Sequence, residues 1–274
     1  MKIFGKFLLY IMIIFVALIT VIPFIYMIAT AFETFTYVIP FPPRIIPTDP
    51  TLQNFIDAWK SNNFQLYFKN SLIVATITMI LSLFFSSLTA YAFARFEFPA
   101  KEFIFGVMLF TMMVPGMISL IPLFTLVKSL NLLNTYTGLY LVYVSGNITF
   151  QTFLLRGFFE EIPQELEDSV YIDGGNRWTV YRHIILPLSK PALATIAIFS
   201  FLGAWDEFFW ALIILKDQKL RTLPIAIALF HGQFATKWGL IFAASLIAII
   251  PVITIFVSFQ KYFVRGLMKG ALKG

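Results

Sequence analysis

The sequence predicts an all-α integral membrane protein with six transmembrane helices and a two-helix loop on the cytoplasmic side. Its residues are 59% hydrophobic and only 12% charged, with a mean hydropathy of +0.84, so the chain is far more apolar than a typical globular domain. Six apolar segments are each long enough to cross a bilayer. Between the fourth and fifth of them lies the longest polar run of the chain, residues 160–191, here called the polar loop, which must face water.

The first apolar segment covers residues 7–29 and follows Lys2 and Lys6. Ala29-Thr30-Ala31 looks like the cleavage site of a signal peptide. However, the segment has roughly 22 residues, whereas the apolar region of a signal peptide has about 7 to 15. We therefore expect an uncleaved first helix, bent at Pro23.

The other five apolar segments are residues 71–93, 103–127, 137–155, 192–215 and 240–259. The third is interrupted by Pro115-Gly116 and Pro122, and the sixth contains Pro251. Helix-breaking residues at membrane depth are tolerated where protein or a water-filled cavity satisfies the backbone. The third span is therefore expected to pack against protein rather than lipid.

A proline-rich segment over residues 33–69 separates the first two spans. Its prolines forbid long helices until Asp49 or Thr51 can cap a short one. The apolar positions of this predicted helix are Leu52, Phe55 and Trp59. We expect an ordered segment that lies on the outer surface.

The basic residues predict the orientation. With six spans both termini share one side, and that side carries twelve of the lysines and arginines against eight on the other. Because short cytoplasmic loops carry the excess of positive charge, both termini and the polar loop are placed in the cytoplasm. This bias also accounts for the net charge of +6 without any nucleic acid. The predicted parts are a first helix with an external segment (1–66), a transmembrane domain that includes the polar loop (67–260) and a cytoplasmic tail (261–274).

The first half of the polar loop has the pattern of a short amphipathic helix. Pro163 suits a first helical turn, and acidic residues follow where they favour the helix dipole. The acidic residues are Glu165, Glu167 and Asp168. Apolar residues recur every four positions, at Ile162, Leu166 and Val170. Gly174-Gly175 then predicts the end of the helix.

The second half of the polar loop predicts another helix, capped by Asn176 and ended by Pro187. Its apolar positions are Trp178, Tyr181 and Ile185. Two apolar stripes on a loop in water need a cover. Either the membrane domain of the chain itself or a separate soluble subunit could supply it.

Motifs of enzyme chemistry are missing from the sequence. It contains no G-x-x-x-x-G-K-[ST] phosphate loop, no H-E-x-x-H zinc motif and no nucleophile elbow. It also has no cysteine, and neither His183 nor His231 has a second histidine beside it. We therefore predict a protein that is not an enzyme, holds no metal and carries no cofactor of its own.

Trp205, Asp206 and Glu207 form the one unusual polar group inside a predicted span. Acidic groups at membrane depth usually face a bundle interior or a water cavity, which makes them candidates for a functional site. Carboxylates accept hydrogen bonds from sugar hydroxyls, and an indole covers the apolar face of a sugar ring. The alternative is that these residues lie at the outer membrane interface, where tryptophans are common.

The polar loop resembles the coupling loop of binding-protein-dependent ABC importers, and specifically that of the maltose-type sugar permeases. Asp168-Ser169-Val170 stands where that family has Glu-Ala-Ala, followed by the glycine core Ile172-Asp173-Gly174-Gly175. The segment Ile184-Ile185-Leu186-Pro187-Leu188 closes the motif. Asp168 keeps the acidic charge of the motif, whereas Val170 is bulkier than alanine.

The resemblance extends over the whole chain. The early PTLQNF stretch, the RGFF segment before the polar loop and the QKYFVRG…GALKG end are similar to elements of the same family. Trp205-Asp206-Glu207-Phe208 resembles a Trp-Asn-Glu-Phe element, with Asp206 in place of asparagine.

This resemblance implies the transmembrane domain of a type I ABC importer in the cytoplasmic membrane of a prokaryote. The implied partners are a homologous second permease, two ATP-binding subunits that hold ATP and Mg, an external solute-binding protein and a sugar. The implied ATPase-coupling residues are Glu167, Asp168, Asp173, Gly174, Arg177 and Pro187. The implied translocation-path residues are Trp205, Asp206 and Glu207. An ABC permease for a non-sugar solute and an ATPase-independent secondary transporter are the alternatives.

Overall fold

Long apolar helices dominate the computed structural model, which describes residues 2–34, 45–61, 63–230 and 237–271. Within these residues the only extended pairing is an isolated antiparallel bridge between Glu33 and Pro50. The predicted all-α class is therefore confirmed. The chain separates into two compact units, residues 1–66 with 225–250 and residues 67–224 with 251–274. The predicted division into three parts stays a prediction.

Three helices are long and apolar enough to cross a membrane: α1 (Lys2–Ala31), α3 (Phe64–Arg95) and α13 (Trp238–Ala271). They correspond to the first, second and sixth predicted spans. Both α1 and α13 continue through a proline, Pro23 and Pro251 respectively. Long apolar stretches thus form uninterrupted helices in spite of these two residues.

The other three predicted spans take different forms. The third becomes α4 (Lys101–Thr111) and α5 (Leu120–Ser129), which are separated at Pro115-Gly116 as the sequence predicts. The fourth is α6 (Tyr136–Glu160), a 25-residue helix. The fifth is interrupted, because α10 (Lys190–Trp205) ends before α11 (Phe209–Ile214) begins. A fourth span results only if Arg177–Leu188 and α10, which meet at 78°, cross together. The six predicted spans are therefore confirmed only in part.

The first unit contains α1, the short helix α2 (Gln53–Lys60), α12 (Leu223–Ala228) from Ile225 onward and the beginning of α13. The Asn54 amide donates hydrogen bonds to the carbonyls of Ala31 and Glu33, at 2.9 and 2.8 Å. This fastens α2 to the end of α1. The N-cap of α2 is Leu52, which makes no side-chain cap bond, so the predicted cap at Asp49 or Thr51 is wrong. The Thr51 hydroxyl nevertheless accepts from the N–H of Gln53 at 3.1 Å.

The second unit has a core where α3, α6, α10 and the polar loop meet. Its large buried members include Tyr91, Leu155, Phe159, Tyr181, Ile185 and Ile196. These residues come from elements far apart in sequence. The polar loop is thus built into the core of this unit on one of its faces.

Candidate functional site

The polar loop folds as two short helical runs joined by a turn. The first is α7 (Glu165–Ile172). The second runs through α8 (Arg177–Val180), a π-helical turn (Tyr181–Ile185) and α9 (Leu186–Leu188). The predicted pair of short helices is confirmed. The π-helical turn is a feature that the side-chain pattern does not indicate, since such turns are rare and differ from an α-helix by a single extra residue.

The turn between the two runs depends on both glycines. Gly174 has φ +78°, a left-handed conformation that glycine adopts cheaply. At Gly175 there is no room for a side chain, because an added Cβ would lie 2.5 Å from Val170 Cγ1 and 2.9 Å from the Val170 carbonyl oxygen. The same carbonyl accepts the N–H of Gly175 at 2.8 Å. Of these two requirements, the sequence pattern indicated only the first.

Asn176 caps the second run as predicted. Its side chain accepts the N–H of Thr179 at 3.0 Å, and the Thr179 hydroxyl accepts the N–H of Asn176 in return. The helical run passes Pro187 and ends at Leu188, one residue beyond the predicted end. Pro187 follows directly after the π-helical turn, as the second residue of α9.

Both predicted apolar stripes of the polar loop are divided between the core and the surface. Ile162, Tyr181 and Ile185 are buried in the chain's own core. Leu166 and Trp178 are exposed, the latter by 56%. The membrane domain therefore covers one part of each stripe and leaves the other part open.

Three side chains of α3 form hydrogen bonds with the polar loop. The Tyr181 hydroxyl lies 2.7 Å from Ser87 Oγ, and the Tyr91 hydroxyl donates to the Arg177 carbonyl at 3.1 Å. Burial raises the pKa of the Tyr181 phenol above its usual value, so this hydroxyl is neutral and able to donate. Arg95 Nε donates to Glu167 Oε1 at 2.5 Å.

The remaining face of the polar loop points away from the core. It combines apolar side chains with acidic ones, and all of its members are exposed. They are Asp168, Tyr171, Ile172, Asp173 and Trp178. Ile172 is 84% exposed, an unusual position for a large apolar residue on a loop in water. We call these five residues the open face.

The predicted coupling residues therefore separate into two groups. Asp168, Asp173 and Gly174 lie at the surface, as does Pro187. Arg177 is also exposed, with its guanidinium carbon 4.3 Å from the centre of the Phe96 ring. Glu167 is different, because it is buried against Arg95 within the same chain. Its role as an ATPase-coupling residue stays a prediction.

A second group of charges lies at the start of the polar loop. Arg156 bonds both Glu102 and Glu160, each at 2.7 Å. The hydrogen bond from Arg156 lowers the pKa of the exposed Glu102 carboxyl. This group ties the end of α6 to the start of α4.

The break after α10 separates the three predicted path residues. Trp205 is only 3% exposed, and its ring packs against Phe68 and Phe201. Asp206 is exposed, whereas Glu207 is half-buried. The three side chains do not share one surface, so their predicted joint contact with a sugar gains no support from their positions.

Glu207 holds the break together. Its carboxylate accepts the Tyr143 hydroxyl at 2.5 Å and the backbone N–H groups of Trp210 and Ala211 at 2.7 and 3.0 Å. It thereby satisfies the free N–H groups at the start of α11. Glu207 therefore braces the junction between α10 and α11 from within the chain.

A cavity of 870 Å³ lies where α4 gives way to α5 beside α6. The described residues that line it are uncharged, and they include hydroxyl and aromatic side chains. These are Thr111, Ser119, Ser145, Thr149, Phe150 and Trp210. The sequence indicated the break at Pro115-Gly116 but not that α6 and Trp210 would complete a cavity there.

The histidines offer no metal site in the described part of the chain. His183 is exposed, and its Nδ1 lies 3.1 Å from the Thr179 carbonyl oxygen. Among the described residues no three histidine, aspartate or glutamate side chains converge on one point. His231 lies outside the described residues.

Comparison with known proteins decides the family. A family model described as a binding-protein-dependent transport system inner membrane component matches residues 82–269, well over half of the chain. The chain belongs to this family. The matched region begins within α3 and contains the polar loop, the break at Asp206 and the cavity.

Relatives within this family are transport permeases. MalG of Thermococcus litoralis, a trehalose/maltose transport system permease, is 37% identical over 261 residues, which is 94% of this chain and 93% of that protein. AraQ of Halalkalibacterium halodurans, an arabinooligosaccharides transport system permease, is 34% identical over 263 residues, with 95% and 94% coverage.

A solved structure shares the fold. It is a chain of a bacterial ABC transporter involved in the import of the acidic polysaccharide alginate, with a TM-score of 0.84 and 24% identity. The match covers 96% of this chain and 97% of that chain. The predicted fold, that of an ABC importer's transmembrane subunit, is confirmed.

Proposed function

We propose that the chain is the membrane-spanning permease subunit of an ATP-driven importer for a sugar or oligosaccharide that an external binding protein delivers. Membership of the binding-protein-dependent family supports the importer class. The relatives named for trehalose/maltose and arabinooligosaccharide transport support the sugar class. The observation that carries the proposal is the polar loop, a two-helix element fastened to its own chain on one face and open on the other.

The proposed assembly contains a homologous second permease, two ATP-binding subunits and the binding protein. ATP and Mg belong to the ATP-binding subunits, and this chain needs no cofactor. It lies in the cytoplasmic membrane of a prokaryote with both termini in the cytoplasm. The excess of basic residues on that side supports the orientation.

The open face is the proposed dock for an ATP-binding subunit. Ile172 and Trp178 are large exposed apolar side chains, which suit an apolar groove on a partner. Asp168 and Asp173 beside them would meet basic groups at the rim of such a groove. Arg177, held by Phe96, extends this surface.

ATP binding would act on the permease through this dock. A partner can shift the permease between inward-open and outward-open states only if it contacts the two states differently. A loop with fixed geometry supplies such differential contacts because it moves together with the helices to which it is bonded. The glycine turn, the Asn176 cap and the bonds to α3 give the polar loop that fixed geometry.

The uncharged cavity beside the α4–α5 break is the proposed part of the solute path in this chain. Hydroxyl groups on Ser119, Ser145 and Thr149 exchange hydrogen bonds with sugar hydroxyls, and the rings of Phe150 and Trp210 cover apolar sugar faces. Glu207 braces this region through Trp210. Asp206, which is exposed, stays a proposed path residue.

The proposal is tested by coexpressing the chain with its ATP-binding subunits and measuring how much ATPase stays bound to the solubilised permease. In one sample Ile172→Ser removes an apolar anchor from the open face. Because Ile172 is almost fully exposed, this change costs the permease itself little. We expect the wild type to retain the ATPase and Ile172→Ser to retain markedly less.

Ile46→Ser is the matched control. Ile46 is 80% exposed and lies in the segment assigned to the outer surface, so this variant should retain the ATPase like the wild type. Equal retention by Ile172→Ser and the wild type would refute the open face as the dock. An absence of ATPase from the wild type would refute the proposed function itself.

A further inference from the structure

Ser87, Tyr91 and Arg95 follow one another at intervals of four residues near the end of α3, and each contacts the polar loop. Residues four apart lie on one face of a helix. This face of α3 therefore forms a continuous line of attachment. Ser87 and Tyr91 hold the second helical run of the polar loop, whereas Arg95 alone of the three holds the first.

The Arg95 guanidinium joins two points of the polar loop. Its Nε donates to the Glu167 carboxylate at 2.5 Å, and its Nη2 donates to the Ile162 carbonyl at 2.8 Å. The side chains of Arg95 and Glu167 are 9% and 7% exposed. A buried charge is strongly unfavourable when its partner is removed, so neither residue can be changed alone without disturbing the contact.

The surroundings make this ion pair unusual. No charged residue separates Lys69 from Arg95 in the sequence, so Arg95 is the first charge after a long apolar helix. A lysine could not replace it, because bonding Glu167 and the Ile162 carbonyl together requires the fork of a guanidinium. The arginine thus links the end of α3 to the start of α7 in a single geometry.

We propose that Arg95 is a positioning residue for energy coupling, which acts through Glu167 to make α7 move as one body with α3. Arg95 does not itself touch the ATPase; it fixes the angle at which α7 presents Asp168 and Ile172. This inference rests on the proposed function, in which those residues dock on an ATP-binding subunit. Besides Arg95, the packing of Val170 against the core holds α7 in place.

The first test measures solute transported per ATP hydrolysed by the assembled importer in liposomes, for Arg95→Gln, Arg95→Lys and Glu167→Gln. We expect each variant to retain the ATPase but to transport roughly 3- to 30-fold less solute per ATP, the range typical of residues that modulate coupling between sites. Arg95→Lys should be affected least, since it keeps the charge and loses the fork. An unchanged ratio in Arg95→Gln and Glu167→Gln would overturn the proposal.

The second test needs no ATPase and measures backbone hydrogen exchange in the purified permease. Arg95→Gln should accelerate exchange over Glu165–Ile172, with a much smaller effect on the run fastened by Ser87 and Tyr91. Glu102→Gln is the control, because it breaks an exposed ion pair with Arg156 and leaves Arg95 intact. Equal exchange of α7 in Arg95→Gln and the wild type would overturn the link to α3.

The two measurements separate the two proposals. If the wild type binds no ATPase, the proposed function fails, while hydrogen exchange still tests the link between Arg95 and α7. If the wild type binds and couples ATPase normally and Arg95→Gln does the same, only the positioning role fails. A variant that does not reach the membrane is replaced by Arg95→Lys, the most conservative of the series.

Discussion

Gly175 is required in the turn because its position has no room for a side chain. Its missing Cβ leaves room for Val170, whose side chain and carbonyl press against that position. Gly175→Ala should lower the stability of the turn by about 1–3 kcal/mol, the usual cost of overpacking. Limited proteolysis at Arg177 and Arg182 in the solubilised permease would register this as faster cleavage.

The double variant Gly175→Ala with Val170→Ala is the control for this prediction. Removing the Val170 methyl groups relieves the contact at 2.5 Å but not the one with the carbonyl oxygen at 2.9 Å. Proteolysis should therefore slow only partly toward the wild-type rate. Cleavage of the single variant at the wild-type rate would mean that the turn adjusts without cost.

Glu207 carries a structural role that its neighbour Asp206 does not share. Both carboxylate oxygens of Glu207 accept hydrogen bonds. In Glu207→Gln an NH2 group replaces one of these oxygens, so it faces at least one of the N–H or O–H donors. We expect a loss of about 1–3 kcal/mol in stability, measured as a lower thermal unfolding temperature in detergent.

Asp206→Asn is the control for this second prediction, because Asp206 is exposed. It should unfold at the wild-type temperature. If instead both variants unfold alike, Glu207 does not hold the break. Transport by Asp206→Asn, measured at normal expression, tests separately whether this side chain contributes to the solute path.

At the scale of the element, the glycine turn sets the angle between the two helical runs of the polar loop. An L-residue in a left-handed conformation costs about 1–2 kcal/mol, and a β-branched side chain makes that conformation an outlier. Gly174→Val should therefore change the turn and uncouple ATP hydrolysis from transport while leaving the permease in the membrane. The measurement is the ratio of transport to hydrolysis in proteoliposomes.

Gly157→Val provides the comparison for Gly174→Val. Gly157 lies within α6, and a Cβ added there would meet nothing within 4 Å. It should retain the wild-type ratio of transport to hydrolysis. Full coupling in Gly174→Val would show that the turn tolerates another conformation.

The sequence predicted elements well where the signal is local. The polar loop, its glycine turn and the Asn176 cap all depend on neighbours within a few residues, as does the break at Pro115-Gly116. The break after Trp205 could not be predicted in this way, because it contains neither proline nor glycine and is braced by Glu207 with Tyr143, 64 residues earlier in the chain. The burial of Trp205 and the pairing of Glu167 with Arg95 are likewise products of tertiary packing.

At the scale of the whole molecule, α3 is bonded to distant parts of the chain near both of its ends. Near its start, the Asn70 amide donates to the carbonyls of Lys219 and Arg221 at 2.8 and 2.9 Å, and Ser71 Oγ accepts the N–H of Leu223 at 2.8 Å. Near its end, Arg95 holds the polar loop. From Asn70 to Arg95 the helix rises about 37 Å, more than the thickness of a bilayer's hydrocarbon core.

Replacing Asn70 should free the segment around Lys219 and Arg221. In Asn70→Asp a carboxylate would face two carbonyl oxygens, so both hydrogen bonds become repulsive contacts. Trypsin should then cleave after Lys219 and Arg221 faster than in the wild type. Gln65→Glu is the control, because it makes the same change of amide to acid at an exposed position of α3. It should leave the cleavage rate unchanged. Equal cleavage rates in the wild type and both variants would contradict the role of Asn70.

The π-helical turn affects how the polar loop responds to the loss of a residue. A π-helical turn accommodates one residue more than an α-helix would over the same stretch, so a deletion within Tyr181–Ile185 could be absorbed by reversion to α-helix. Trp178 would then keep its direction relative to α10, whereas one residue deleted from a run that is α-helical throughout rotates the segment before it by about 100°. The π-helical turn is therefore a place where the polar loop could lose a residue while the docking residues keep their orientation toward an ATPase.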